Sequence, residues 1–267
     1  MASTAQDDNA LRARNAELSR RVLDSTLQLE ATARELEAFG ATLSHDLRAP
    51  LRSIEGFSKL LLQPPHAEQL DPVGQDYVQR IHRASLRLAQ MMEELLQLVR
   101  LARSGVKFER VDLSGMAQDI LAGLRSAVPA RRVETEIEPD IAVSGDPRLL
   151  RLALENLLGN AWKFTCKNET ANIFFGRTLD EGVAAICVRD NGAGFEQKYA
   201  DRLFRAFQRL HSATEFEGSG IGLAKAQRAL HAQGGRIWAR AERGAGATFY
   251  FTLPGVTAET TGTNLEQ

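Results

Sequence analysis

Leu154-Glu-Asn-Leu-Leu-Gly-Asn-Ala-Trp-Lys-Phe-Thr165 is the stretch from which the fold reads outward. Its apolar residues recur at helical spacing, and Asn156, Asn160 and Lys163 stand four and three residues apart, which puts all three on one helical face. Glu155 lies about 100° around the helix from Asn156 and faces elsewhere. Two amide oxygens and an ammonium on one stripe suit a Mg²⁺ ion and the phosphates bridged to it, because Mg²⁺ takes oxygen ligands and phosphate seeks positive charge. A solvated polar helix face has the same spacing, so the neighbouring segments must decide.

Asp146-Pro147 supplies an N-cap and a proline at the first helical position, which predicts that this helix runs from about Asp146 to Thr165. Further helices are predicted at about Ser114 to Val128 and Ile221 to Gln233. Short β-like runs lie between them: Arg132 to Ile137, Ala171 to Arg177, Val183 to Arg189, Arg236 to Ala241 and Thr248 to Leu253. The alternation predicts an α/β sandwich of about 150 residues, one helical layer on one mixed sheet.

Two glycine motifs flank this sheet. Val188-Arg-Asp190-Asn-Gly192-Ala-Gly194-Phe follows a strand directly; the glycines let the main chain approach a flat ligand, and Asp190 can accept a hydrogen bond from an exocyclic amine. A plain tight turn would read the same way. Glu217-Gly218-Ser-Gly220-Ile-Gly222-Leu-Ala opens the last helix. A dinucleotide fingerprint needs a strand immediately before it, whereas Gln208 to Phe216 is polar and loop-like, so that reading fails. A glycine-rich entry to a helix N-terminus remains, where free N–H groups favour phosphate. The segment before it, with Arg205, Arg209, His211 and two glutamates, suits a mobile lid.

Toward the N-terminus the pattern is purely helical. Leu11, Asn15, Leu18, Val22, Ser25, Leu29, Thr32, Leu36, Phe39 and Leu43 recur in steps of four and three, a coiled-coil seam on a helix predicted from about residue 9 to Gln63. Polar Asn15, Ser25 and Thr32 weaken the seam, for register control or for a change of packing during signalling. Pro64-Pro65 breaks it, and a second stripe follows: Tyr77, Ile81, Ala84, Leu88, Met91, Leu95, Leu98 and Ala102. The two helices form a hairpin ended by Ser104-Gly105. One hairpin buries one face only, so a homodimeric four-helix bundle is expected. Ser44-His45-Asp46-Leu-Arg-Ala-Pro50 lies on the first helix; two residues after the seam position Leu43, His45 should point outward. An imidazole there can act as a nucleophile, with Asp46 to orient or deprotonate it. His66, His82, His211 and His231 lack metal-ligand spacing and read as structural.

Hydrophobic residues at 43% exclude disorder along the whole chain, and 33 Lys+Arg against 34 Asp+Glu argue against a basic nucleic-acid binder. The longest aliphatic run, Leu60 to Leu62, is far short of the roughly 18 to 20 residues of a membrane span. Cys166 and Cys187 form no C-x-x-C pair, which favours a reducing compartment. A soluble, cytoplasmic chain is expected, with a disordered tail over 256–267.

His45-Asp-Leu-Arg-Ala-Pro-Leu resembles the phospho-acceptor box of bacterial sensor histidine kinases. The three segments above resemble that family's N, G1 and G2 boxes in order, and Phe204-Arg-Ala-Phe207 matches the box between the glycine motifs. The resemblance covers roughly residues 35 to 254, and Leu203 to Ala224 is most similar to phytochrome-type kinases. It implies a coiled-coil signalling helix (1–38), an all-α dimerisation and histidine phosphotransfer hairpin (39–104) and a Bergerat-type ATP-binding domain (105–255). By the same resemblance Asn160 is the Mg²⁺ ligand, Asn156 its helical neighbour, and Lys163 a phosphate contact. Asp190 reads the adenine amine, Gly192 and Gly194 shape its pocket, Gly218, Gly220 and Gly222 wrap the phosphates, and Arg209 is a candidate lid contact to the γ-phosphate. His45 takes the phosphoryl group from Mg-ATP and passes it to an aspartate of a response-regulator receiver domain; the sensor domain is expected outside this chain.

Two departures matter. Asp46 replaces the commoner Glu, and Ala49 replaces a Thr or Asn that would hold a water, which implies weak phosphatase activity. Two rivals stay open. A conformational ATPase of the same fold would usually place a carboxylate where Asn156 stands. A coiled-coil scaffold with an inactive nucleotide site would have lost one of Asn160, Lys163, Asp190 or the glycines, and all are present.

Overall fold

The structure, a computed structural model, describes residues 2–101, 105–212, 215–216 and 218–256; within the first helix many side chains up to residue 45, that of His45 among them, lie outside the described set. The chain divides into two compact units, residues 1–103 and 104–267.

In the first unit, α1 (Ala2–Leu61) is one 60-residue helix that carries Pro50 in its interior. Having no N–H, Pro50 cannot donate to the carbonyl four residues earlier, that of Asp46. Beyond the Pro64-Pro65 break comes a single turn, α2 (His66–Gln69), which the sequence pattern does not announce. The return helix α3 (Pro72–Leu101) starts before the first residue of its apolar stripe, because Pro72 is tolerated in a first turn. Asp71 helps to start it by accepting from the Gly74 N–H at 2.7 Å. Leu51, Leu96 and Leu98 are buried in this unit. Among the described residues polar pins cross the hairpin: Ser58 Oγ lies 3.0 Å from His82 Nδ1, and Arg48 pairs with Glu93 at 3.5 Å. Tyr77, Ile81 and Leu88 of the second stripe stay exposed. The seam positions Leu18 and Val22 are exposed too; Leu11, Asn15, Leu29, Leu36, Phe39 and Leu43 have side chains outside the described set. Ala102 and Ser104 also fall outside it.

The second unit runs β1 (Glu109–Asp112), α4 (Leu113–Ala127), β2 (Val133–Ile137), β3 (Ala142–Gly145), α5 (Pro147–Phe164), β4 (Ala171–Asp180), β5 (Val183–Asp190), a short 3₁₀ turn, α6 (Gly222–His231), β6 (Arg236–Glu242) and β7 (Gly246–Thr252). Five strands form one mixed sheet in the order β2-β4-β5-β7-β6; β2 and β4 are parallel and the other pairs antiparallel. The three helices lie against it, α4 on β2, α5 on β4 and β5, α6 on β6. Leu154, Leu157, Leu158, Phe175, Ile186 and Phe251 are fully buried between these layers. The strands β1 and β3 form a separate antiparallel pair, absent from the sequence reading because four residues are too few to display an alternation.

The start of α5 is anchored from several sides. The buried Asp146 accepts from the Arg148 N–H at 3.0 Å and the Lys107 N–H at 3.1 Å, and pairs with the Arg148 guanidinium at 2.9 Å. These contacts hold its carboxyl well below the usual carboxylate range. Its own N–H donates to Gln233 Oε1 at 2.7 Å, which ties the start of α5 to the residues that follow α6. At the other end Arg131 donates to the Thr165 hydroxyl at 2.7 Å and to the Trp162 carbonyl at 2.5 Å, satisfying α5's last turn. A helix pinned at both ends presents its polar stripe in a fixed direction.

Candidate functional site

Asn156, Asn160 and Lys163 are each half-buried on α5, while Glu155 is exposed, as the helical spacing requires. Asn156 Nδ2 donates to the Leu152 carbonyl at 2.7 Å, which fixes the amide and directs its oxygen. That oxygen faces Gly222, where a Cβ would come within 2.5 Å of it. Lys163 reaches the same glycine-rich segment one step earlier, since a Cβ on Gly218 would lie 3.2 Å from its Nζ. The two motifs, some sixty residues apart in sequence, thus meet across a narrow gap at the N-terminus of α6. Lys163 Nζ also stands 4.3 Å from the centroid of the Phe164 ring, a cation–π placement. Glu217 lies outside the described residues.

The turn after β5 forms the second wall. Asp190 is buried and accepts from the Gly192 N–H at 2.8 Å. Burial pushes its carboxyl up to about 6, against the lowering effect of the Gly192 and Ala247 N–H groups. The Ala193 N–H donates to the Phe164 carbonyl at 3.1 Å, so this turn is joined directly to the end of α5. Gly194 has φ +58, and a Cβ there would run into the Glu242 carbonyl oxygen, so only glycine fits. Asn191, which sequence reasoning passed over, locks the turn: its Oδ1 accepts from the Asn172 N–H at 2.9 Å and its Nδ2 donates to the Thr170 carbonyl at 3.1 Å.

Between the glycine motifs, Arg209 donates to the Gly218 carbonyl at 2.7 Å and the Phe216 carbonyl at 2.5 Å. Its guanidinium organises its own loop in this conformation. Phe207, from the box between the glycine motifs, has φ +64 and is half exposed. His211, read from sequence as structural, packs into a three-ring cluster with Phe164 and Phe216. Phe164 lies on another segment, a contact that no local pattern could reveal.

In the first unit Asp46 is exposed on α1, within the same helix as His45, whose side chain is outside the described set. Ala49 is exposed and its carbonyl accepts from Ser53 Oγ at 3.2 Å. None of the described helices is long and apolar enough to cross a membrane.

Chemically, the second unit offers a buried acceptor beside a glycine turn at one end, and amide oxygens, an ammonium and a helix N-terminus at the other. That polarity suits a purine at one end and phosphates at the other.

Comparison with known proteins points the same way. Residues 145–257 match the family described as "Histidine kinase-, DNA gyrase B-, and HSP90-like ATPase", and residues 35–104 match "His Kinase A (phospho-acceptor) domain". Cyanobacterial phytochrome B of Nostoc sp. is 33% identical over 86% of this chain and 31% of its own length. The sensor histidine kinase AruS of Pseudomonas aeruginosa is 31% identical over 85% of this chain and 23% of its own. The chain therefore spans less than a third of the length of these curated relatives. Among solved structures, full-length ShkA in complex with AMPPNP superposes with a TM-score of 0.56 at 28% identity, over 82% of this chain and 46% of that one.

Proposed function

Since the chain carries a sensor histidine kinase core, a His Kinase A phospho-acceptor domain ahead of a histidine kinase-like ATPase domain, we propose that it binds Mg-ATP in its second unit, autophosphorylates His45 and passes the phosphoryl group to an aspartate of a response-regulator receiver domain. The observation that carries the reading is the meeting of the Asn156 and Lys163 face of α5 with the glycine-rich entry to α6.

In this reading Asp190 accepts a hydrogen bond from the adenine amine, and the turn through Gly192 and Gly194 lies along the ring. Lys163 and the backbone N–H groups around Gly218, Gly220 and Gly222 hold the phosphates. Asn160 supplies an amide oxygen to Mg²⁺, with Asn156 one turn away; such hard oxygen donors beside phosphate fit that ion's preferences. Mg²⁺, when bound, offsets charge on the phosphates. A nitrogen of the His45 ring attacks the γ-phosphorus, the bond to the bridging oxygen breaks, and ADP leaves with that electron pair. Asp46 orients the imidazole and accepts its displaced proton. Positioning, rather than covalent chemistry by the second unit, supplies most of the acceleration.

Residues 39–104 form the phosphotransfer unit and residues 105–255 the nucleotide unit, with residues 1–38 as the signalling helix. The protein works in the cytoplasm as a homodimer, supported by the apolar stripe of Tyr77, Ile81 and Leu88 that one hairpin leaves exposed. The relatives' greater length suggests that the input domain lies beyond this chain.

Incubation with γ-labelled ATP tests the reading. The label should enter the protein, survive alkali and be lost in acid, as phosphohistidine is. Release of labelled phosphate with no protein-bound label would favour a conformational ATPase of the same fold.

A further inference from the structure

We propose that His211 is a positioning residue for the nucleotide pocket, a role that rests on the nucleotide-binding reading above. Its Nε2 lies 2.9 Å from the Gly194 carbonyl, which can only accept, so the proton sits on Nε2 and the hydrogen bond fastens the loop to the turn after β5. Its ring centroid is 5.3 Å from that of Phe164 on α5 and 5.1 Å, edge-on, from that of Phe216. Phe164 and Phe216 complete the triangle at 5.0 Å.

The fastening has a second strand. Glu215 accepts from Lys167 Nζ at 2.7 Å and has its other oxygen 3.8 Å from His211 Nδ1. Lys167 Nζ in turn stands 4.8 Å from the Phe216 ring. The loop before the second glycine motif is therefore clamped to both walls, to the end of α5 through Phe164 and Lys167 and to the other glycine turn through Gly194.

The geometry makes His211 more than packing. Phe164 is the ring over which Lys163 sits, so His211 braces the platform of the phosphate-facing ammonium. Gly194 closes the turn that begins at Asp190, so the same imidazole steadies the purine end. One side chain thus sets the distance between the two ends of the pocket. Its loss should weaken nucleotide binding and leave the transfer step nearly unchanged, because its partners in the second unit, Gly194, Phe164, Glu215 and Phe216, hold the pocket and none is assigned to the reacting atoms.

The test uses the full chain and the non-hydrolysable analogue AMPPNP with Mg²⁺, with affinity read by calorimetry and KM and kcat read from autophosphorylation. His211→Ala should weaken binding and raise KM for ATP about five- to tenfold, the worth of one buried hydrogen bond, with kcat within about twofold. His211→Gln keeps an N–H close to the Nε2 position and should restore affinity to within about threefold. His211→Phe keeps the ring, leaves the Gly194 carbonyl without its donor, and should behave like His211→Ala. If all four proteins bound AMPPNP equally, or if His211→Phe were restored and His211→Gln were not, the positioning role would be overturned. Failure of the unsubstituted chain to bind AMPPNP would instead overturn the nucleotide reading itself.

Discussion

Asp190 titrates near 6 because burial disfavours its charged form more than the Gly192 and Ala247 N–H groups favour it. A carboxyl raised on folding adds stability that is present below its unfolded pKa and is lost as the pH rises through about 6. Ligand binding works in the opposite direction. An exocyclic amine needs the ionised carboxylate, so nucleotide affinity should fall as the pH drops through about 6. Asp190→Asn should bind AMPPNP about tenfold or more weakly at pH 7.5 and lose that part of the pH dependence; calorimetry from pH 5 to 8 checks both. An unchanged profile in the variant would show that Asp190 does not read the base. The two glycine walls make a contrasting pair. Gly194→Ala forces a left-handed backbone and a backbone collision, so it should lower the melting temperature sharply. In Gly222→Ala the nearest atoms to the new Cβ are those of the Asn156 side chain, its oxygen first, so the change should turn that amide away and cost about tenfold in affinity with little change in melting. Spacing and residue type singled out Asn156, Asn160, Lys163 and Asp190 as candidates, but left a solvated helix face and a plain tight turn open beside the ligand reading. The parts played by His211 and Asn191 were not visible, because the contacts that place them, to Phe164 and Gly194 and to Thr170 and Asn172, reach other segments and a single sequence shows no contacts.

Helix ends explain how the pocket keeps its shape. Asp146 joins Lys107 and Arg148 through its carboxylate and Gln233 through its own N–H, so one buried residue fastens the start of α5 to two other segments. Its depressed pKa means that its contribution is fully present above the unfolded pKa, near 4, and is lost as the pH falls through the folded value, well below the usual carboxylate range. Asp146→Ala should cost about 2 kcal/mol at neutral pH, the worth of a strong cap, and the gap should narrow below about pH 4. Thermal melts at pH 7.5 and pH 2 decide this, and an equal gap at both would show that charge plays no part. The Asp-Pro pair is legible as a cap in the sequence alone, because an N-cap acceptor followed by a residue with no N–H to satisfy has few other uses. The long helices and the five main strands were legible for similar reasons, since their periodicities persist over enough residues. The β1/β3 pair and the single turn α2 are too short for any period to register, and β7 begins at Gly246, ahead of its expected start, because glycines have no side chain to reveal a face.

At the scale of the molecule, the proposed function puts the acceptor in one unit and the donor site in the other. Exposed apolar Tyr77, Ile81 and Leu88 on the hairpin are the surface on which the proposed homodimer rests. Ile81→Asp with Leu88→Asp should convert a dimer to a monomer in sedimentation equilibrium, while AMPPNP affinity per chain stays within about twofold. A dimer that survived both charges would place the interface elsewhere. The central claim, that ATP bound in the second unit phosphorylates His45 in the first, is tested most directly by γ-labelled ATP with the unsubstituted chain and with His45→Ala, alongside calorimetry of AMPPNP on both. The account predicts acid-labile label on the unsubstituted chain, none on His45→Ala, and the same AMPPNP affinity for the two. Equal labelling of His45→Ala would contradict it.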